Sequence, residues 1–439
     1  MVKTGEEAVT WIHNRLMNGP RPGLERVNAL LDRVGHPEKK LTVIHIAGTN
    51  GKGSTVSYLR SMLEETGLTV GTFTSPFIIR FNDRIELNSS DISNEDLVRY
   101  VNKYQPFVED INQNAGLGDI TEFELITAMA FDYFLEKKVD VAVVEVGIGG
   151  LLDSTNVVAP FLTGITTIGM DHMDMLGDTI EEIAAQKAGI IKKNVPVVTG
   201  NIPEAALEVI TQKAQRENAP IYSLGEAYHV NYLHPDEEWG EVFTYSSKLG
   251  KRTNLSIPLV GSHQPENAAL AIQLFELFCE MKQLPLKNKD IVNGLKRAKW
   301  PARMERLSQE PLIMIDGAHN VHAVKRLVET MKKEFKDYQI SILFSAITTK
   351  NVQEMLDLLL EIPKAKIYLT TFDHPKAISL NDNFVVPNNE RVSIVSLWQF
   401  GLAEILEKMT SEDLLLITGS LYFVSDVRKL LLEMGEINE

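Results

Sequence analysis

Short apolar runs recur at Leu41–Ile46, Val139–Val146, Leu162–Ile168 and Val195–Thr199, with stretches of helical apolar spacing between them. Runs this continuous suit strands buried on both faces, so the alternation predicts α/β architecture with a mostly parallel sheet covered by helices. From about 220 to 258 the texture changes to short segments rich in Tyr, Ser, Gly and charge, which predicts a small antiparallel subsheet. Helical spacing returns over Gly261–Glu280. A boundary is expected near Lys296–Arg303, where Pro301 blocks helix continuation, dividing the chain into domains 1–298 and 299–439. The second domain reads as Rossmann-like α/β, with strands at Leu312–Ile315, Ile340–Phe344, Lys366–Thr371, Ser393–Leu397 and Leu414–Ile417, and helices at Val321–Phe335 and Ser420–Met434.

The 439 residues exceed what a single core usually organises, about 250–300 residues, in keeping with two domains. Forty-four basic against 59 acidic residues leave a net charge of −15, which argues against nucleic acid or an anionic membrane surface as a partner. One cysteine, Cys279, excludes an internal disulfide framework and suits core packing beside Leu274, Phe275 and Phe278. The polar start of the chain and the lack of any apolar run near the ~18 residues of a membrane span lead to the expectation of a cytoplasmic protein.

Local chemistry changes the picture most at Ala47–Ser54. Glycines at 48, 51 and 53 lie between the first apolar run and a helix-like stretch, Thr55–Glu65. Such a turn aims backbone N–H groups and the positive end of the helix dipole at an anion, and Lys52 can reach terminal phosphates. Thr49, Asn50, Gly51, Lys52, Gly53 and Ser54 therefore form a candidate cradle for ATP or GTP, and the first domain reads as P-loop-type. Its spacing departs from the common pattern, with two residues between Gly48 and Gly51 and a glycine between Lys52 and Ser54. A plain glycine-rich turn with a solvated lysine is the alternative.

Glu145 lies inside a run apolar enough to be buried, where a carboxylate needs a partner: Mg²⁺ beside the phosphate loop, or a basic side chain. His172 follows the run Leu162–Ile168 at a carboxyl end of the sheet, a ligand position in open α/β sheets, though a hydrogen-bonded loop histidine fits the same residues. Thr179 and Glu182 are spaced as a capping box opening a helix over Thr179–Lys193, and Lys187 falls on its apolar face with Ile180 and Ile183. A buried lysine is an uncharged nucleophile able to take up CO₂ as a carbamate; on these residues alone, a lysine that reaches the surface is preferred. Asp316-Gly317-Ala318-His319-Asn320 also joins a strand to a helix, and Arg303 sits near the boundary; a helix cap for Asp316 and a solvated side chain for Arg303 are the simpler alternatives.

In combination these segments resemble the folylpolyglutamate synthase family, including the bifunctional dihydrofolate synthases, within the Mur-ligase superfamily. The resemblance spans nearly the whole chain through Gly48–Ser54, Thr74-Ser75-Pro76 with Phe81–Ile85, Phe123-Glu124 with Thr127-Ala128, Glu145–Gly150 running to Asp153 and Asn156, Asp171-His172, Lys187–Lys192, Gly261–Asn267 and Asp316–Asn320. It implies a monomeric ATP-dependent ligase in which a substrate carboxylate becomes an acyl phosphate and is attacked by the amine of L-glutamate. Ser75, Glu145 and His172 are then implied to hold Mg²⁺, and Lys187, carbamylated, to serve a second magnesium. Asn267, Arg303, Asp316 and His319 match positions that contact ATP, which implies a site between the two domains. Lys52, Lys187 and His172 become the candidate catalytic residues.

The chain departs from the family pattern at Leu151 in place of arginine, Phe77 in place of histidine, Ala302 within the usual Pro-Gly-Arg, and Thr349-Lys350 in place of Asp-Lys. None of these removes an implied metal ligand; Phe77 and Asp153 are expected near the acceptor, so acceptor preference is the property most affected. Reduced folate and its polyglutamates are the expected acceptors, with dihydropteroate open as a further one. A ligase acting on a UDP-muramyl peptide and a non-catalytic ATP-binding switch are the competing readings.

Overall fold

The computed structural model describes residues 1–15, 21–348, 351–380 and 389–437; Thr349-Lys350 lie outside them. The chain forms two compact units, one of Met1–Leu233, Val242–Ile257 and Gln264–Lys299, the other of His234–Glu241, Pro258–His263 and Trp300–Glu439.

The first unit is built on an eight-stranded sheet: β1 (Val43–Ala47), β2 (Val70–Phe73), β3 (Ile85–Leu87), β4 (Ser90–Asp91), β5 (Val141–Glu145), β6 (Leu162–Ile165), β7 (Val197–Thr199) and β8 (Ile221–Ser223). Their order is β4-β3-β2-β5-β1-β6-β7-β8. Pairing is parallel from β2 to β8, with an antiparallel hairpin, β3–β4, closing one edge. The central strands are buried throughout, as their unbroken apolar runs require. One core holds Leu30, Val101, Phe131 and Phe134; another holds Ile183, Ile191, Ile210 and Ala214.

Three further strands, β9 (Tyr228–Pro235), β10 (Glu241–Ser247) and β11 (Gly250–Ile257), form the small sheet expected from the change of texture. Its two short connections make it an antiparallel meander. Ile221–Ser223, however, pairs parallel with β7 and belongs to the main sheet instead. The helix Gln264–Lys282 is buried over most of its surface and packs on the helix Lys52–Glu65 that follows the phosphate loop.

Two elements end earlier than the sequence suggests. β6 stops at Ile165 because Thr166 and Thr167 turn their hydroxyls onto the Asn50 carbonyl, at 2.6 and 3.1 Å. The helix after Thr179 ends at Ala188, where Gly189 and Ile190 close turns on Gln186 and Lys187, although the Thr179–Glu182 capping box forms as expected.

In the second unit the strands are β12 (Glu305–Ser308), β13 (Leu312–Asp316), β14 (Gln339–Ser345), β15 (Lys366–Thr370), β16 (Val392–Val395) and β17 (Asp413–Gly419), in the order β12-β13-β17-β14-β15-β16. All pair in parallel except β12, an antiparallel edge with no clear apolar signature in the sequence. The helices Val321–Glu334 and Leu421–Ile437 fall where helical spacing placed them.

Candidate active site

β1 delivers the chain into a turn at Gly48–Gly51 that only glycine accommodates at two positions. Gly48 has φ +151° and a Cβ there would lie 1.9 Å from Thr166 Oγ1; Gly51 has φ +83° and its Cβ would meet Asn267 Oδ1 at 2.3 Å. The loop is pinned from the side. The Thr49 N–H donates to the Thr167 carbonyl at 2.8 Å, the Asn50 N–H to Thr167 Oγ1 at 3.1 Å, and the Gly169 N–H to Thr49 Oγ1 at 3.0 Å. Thr166, Thr167 and Gly169 were not singled out in the sequence; a pair of hydroxyl residues directly after a buried strand is the signal that marks them.

Among the described residues no side chain caps the helix Lys52–Glu65, whose first intrahelical bond runs from the Thr55 N–H to the Gly51 carbonyl. The N–H groups of Lys52, Gly53 and Ser54 therefore have no intrahelical carbonyl, which is the arrangement an anion completes.

Two lysines converge here. Lys52 Nζ donates to the Gly48 carbonyl at 3.1 Å and lies 3.8 Å from Glu145 Oε1. Lys187 is buried and its Nζ donates to the same Gly48 carbonyl at 3.1 Å, so it turns inward rather than toward solvent. Burial, with the nearby Lys52 charge adding to it, pushes the Lys187 amine down to about 7, against opposition from Asp171 and Asp153.

Strand order explains how the other candidates assemble. β2, β5, β1 and β6 are consecutive neighbours, and Ser75, Glu145, the phosphate loop and His172 lie at or beyond their carboxyl ends in that order. Glu145 is buried as the last residue of β5. His172 adopts a left-handed backbone, φ 51°, ahead of the short helix Met173–Leu176, and its N–H donates to Asp171 Oδ1 at 3.0 Å. Among the described residues no three His, Cys, Asp or Glu side chains group as a metal site. One carboxylate, one hydroxyl and one imidazole form a sparse donor set, fitting a cation such as Mg²⁺ that keeps phosphate and water oxygens as most of its ligands.

Phe77 packs against both His13 and Phe81, with ring centroids at 6.1 and 6.3 Å, in a loop whose Ile78, Ile79 and Arg80 N–H groups all donate to the Asp83 carboxylate. Asp153 is buried and accepts from the Ile148 N–H at 2.9 Å and the Thr155 N–H at 3.0 Å. A cavity of about 420 Å³ lined by Tyr222, Glu226, His229 and Lys248 shares no residue with this set.

In the second unit, Asp316 ends β13 and its carboxylate accepts from the Met304 and Ala318 N–H groups, each at 2.9 Å. Burial raises its pKa while neighbouring Arg303 opposes the shift. His319 Nδ1 lies 2.8 Å from the Gly317 carbonyl, which can only accept, so Nδ1 carries the proton. Asn320 caps the helix Val321–Glu334 by accepting from the Ala323 N–H at 2.8 Å.

Comparison with known proteins places the chain in a family. Residues 110–275 match the Mur ligase middle domain and 302–421 the Mur ligase glutamate ligase domain. The chain is 44% identical to the dihydrofolate synthase/folylpolyglutamate synthase of Bacillus subtilis over 97% of its length and 98% of the relative's. It is 37% identical to the folylpolyglutamate synthase of Lacticaseibacillus casei, again over 97% and 98%. A solved FPGS–AMPPCP–folate complex superposes with a TM-score of 0.85 at 36% identity, covering 98% of this chain and 100% of that one. The chain belongs to the dihydrofolate synthase/folylpolyglutamate synthase family of Mur ligases.

Proposed function

We propose that this chain is an ATP-dependent ligase that joins the amine of L-glutamate to a carboxylate of reduced folate and its polyglutamates. The observation that carries the proposal is the convergence of Lys52 and Lys187 on the Gly48 carbonyl, with Glu145 beside Lys52. Phosphoryl transfer depends on positioning and charge neutralisation more than on a covalent protein nucleophile, and these groups supply both. The loop N–H groups and Lys52 hold the phosphates of ATP; Ser75, Glu145 and His172 would hold Mg²⁺, which when bound would supply charge neutralisation for the phosphates. The acceptor carboxylate takes the γ-phosphoryl group with loss of ADP, the glutamate amine attacks the acyl phosphate, and phosphate leaves as the amide forms.

Lys187 is proposed to carry a carbamate made from its neutral amine and CO₂ with release of one proton. Asn267, buried against Gly51, is the proposed adenosine-side contact in the first unit; in the second unit Arg303, Asp316 and His319 are the proposed nucleotide contacts. Phe77 and the loop ending at Asp153 are proposed to meet the acceptor. Residues 1–298 are assigned to the ATP-binding domain and 299–439 to the glutamate-ligase domain. A cytoplasmic monomer is part of the proposal, checked by fractionation and sedimentation; among the described residues no helix is long and apolar enough to cross a membrane.

The higher identity to the bifunctional Bacillus subtilis relative supports dihydropteroate as a second acceptor. The deciding experiment offers tetrahydrofolate, dihydropteroate and a UDP-muramyl peptide separately with ATP, Mg²⁺ and labelled glutamate. Label is expected in the first two products. Incorporation with the muramyl peptide alone, or phosphate release independent of any acceptor, would overturn the reading.

A further inference from the structure

We infer that His45 is a positioning residue that fixes the Gly147–Asp153 loop relative to the phosphate-loop strand, acting through Thr155. His45 is fully buried in β1, between β5 and β6, and its Nε2 lies 2.8 Å from Thr155 Oγ1. The Thr155 hydroxyl donates in turn to Asp153 Oδ1 at 2.5 Å, and Asp153 Oδ2 accepts from the Ile148 N–H at 2.9 Å. A side chain on the strand that delivers the phosphate loop thus reaches, in three hydrogen bonds, the backbone of the loop that leaves Glu145.

The proton positions follow from the acceptors. The Asp153 carboxylate takes backbone N–H groups on both oxygens, from Thr155 on Oδ1 and Ile148 on Oδ2, so the single Thr155 hydroxyl proton goes to it. The Thr155 oxygen then faces Nε2 with a lone pair, and Nε2 carries the hydrogen. Burial, with Lys192 nearby, keeps the ring neutral by pushing its pKa down to about 3. Nδ1 is left bare and buried, with no hydrogen-bond partner among the described residues. A buried ring that leaves one nitrogen unsatisfied while directing the other at Thr155 is costly as mere filling, and a leucine there would avoid that cost. The chain Nε2–H, hydroxyl, carboxylate, N–H has one direction, so it holds the loop in one register.

The inference rests on the ligase reading, in which the phosphate loop holds the donor and the Gly147–Asp153 loop meets the acceptor. Its test is steady-state kinetics on full-length His45→Gln, His45→Leu and Thr155→Val, varying ATP and the folate acceptor separately. Losing one directed hydrogen bond should raise the acceptor KM about fivefold in His45→Leu and Thr155→Val with the ATP KM within about twofold, whereas His45→Gln, which keeps a donor, should stay near wild type. Thr155→Val, close to isosteric, serves if His45→Leu does not fold. Unchanged acceptor KM in Thr155→Val, or ATP and acceptor KM rising together, would overturn the inference. Histidine ¹⁵N shifts provide a readout independent of turnover: the signal lost in His45→Gln should be that of an Nε2–H tautomer, and an Nδ1–H signature overturns it. A wild-type chain that incorporates no glutamate would sink the ligase reading, and the tautomer would still decide on His45.

Discussion

Each unit contains a parallel strand that runs through a glycine-bearing turn into a helix, and the two turns spend their polar groups in opposite ways. After β1, Gly51 at the cap position offers no side chain to the helix Lys52–Glu65, and two lysines close on the loop carbonyl. After β13, Asp316 accepts two backbone N–H groups, His319 bonds to the Gly317 carbonyl and Asn320 caps the helix. The same supersecondary unit thus leaves its helix start uncapped by a side chain in one place and capped by its own asparagine in the other. A strand-turn-helix junction binds an anion according to whether its own side chains already occupy the N–H groups.

The largest effect should follow from filling or discharging the open turn. Lys52→Ala is expected to lower kcat about 10³-fold, the scale of losing one preorganised electrostatic contact, with the fold intact by circular dichroism. Gly48→Ala should abolish nucleotide binding, because its Cβ would lie 1.9 Å from Thr166 Oγ1. Near wild-type turnover in Lys52→Ala would show that the contrast between the turns has no catalytic meaning.

Next in size is Lys187. Its amine, pushed down to about 7, is largely neutral above that pH and charged below it, and only the neutral form adds CO₂. Enzyme stripped of CO₂ should regain activity on addition of bicarbonate, faster at pH 8 than at pH 6, and Lys187→Gln should lose about 10²-fold in kcat without responding to bicarbonate. Equal recovery at both pH values would exclude a carbamate made from this amine.

The open turn was the more legible in the sequence, because glycine spacing and a lysine are local signals. Two of its supports were not: Thr166 and Thr167 follow the end of β6, and strand order brings them to the loop, while Asn267, on a helix remote in the chain, was reached only through the family resemblance. Lys187 illustrates the same limit. Helical spacing put it on an apolar face, but its choice between solvent and interior depended on the Gly48 carbonyl. In the second unit the cap the sequence offered was Asp316, but Asn320, directly before the helix, takes that place and Asp316 ends the strand; β12 carried no apolar pattern and depends on pairing with β13.

A smaller effect compares the two units in acid. Each holds a histidine with its pKa pushed down to about 3, fully buried His45 by burial and Lys192, half-buried His263 by loss of solvent and then Arg326, Arg303 and His322. The unfolded chain protonates such a histidine near 6.5 while the folded chain does not until about 3. Stability from each is therefore complete above about pH 6.5 and is lost as pH falls toward 3. His45→Gln and His263→Gln should each flatten the fall of Tm between pH 6.5 and 4, with the larger change at fully buried His45; a steeper fall would contradict the neutral assignment.

Removing the Asn320 cap tests the closed turn directly. Asn320→Ala should cost about 1 kcal/mol in denaturant unfolding, the usual value of such a cap, with kcat changed far less than by Lys52→Ala. A loss of turnover comparable to that of Lys52→Ala would mean that the cap itself, and not only Asp316 and His319, is needed for the reaction.

The smallest effect concerns the segment that supports the closed turn. Ala302 has φ +53°, in the left-handed region that glycine enters freely, and its carbonyl accepts the Gly317 N–H at 2.8 Å. An L-residue there is strained by about 1–2 kcal/mol, but glycine also gains freedom in the unfolded chain, so relief and entropy offset in part. Ala302→Gly should therefore stabilise by less than about 1 kcal/mol, seen as a small rise in Tm. Its contrast with Gly48→Ala carries the last step of the comparison. At Gly48 a methyl group collides with the framework of the loop, whereas at Ala302 the methyl is already accommodated and only backbone strain remains, so the two reciprocal exchanges should differ in size as well as in sign.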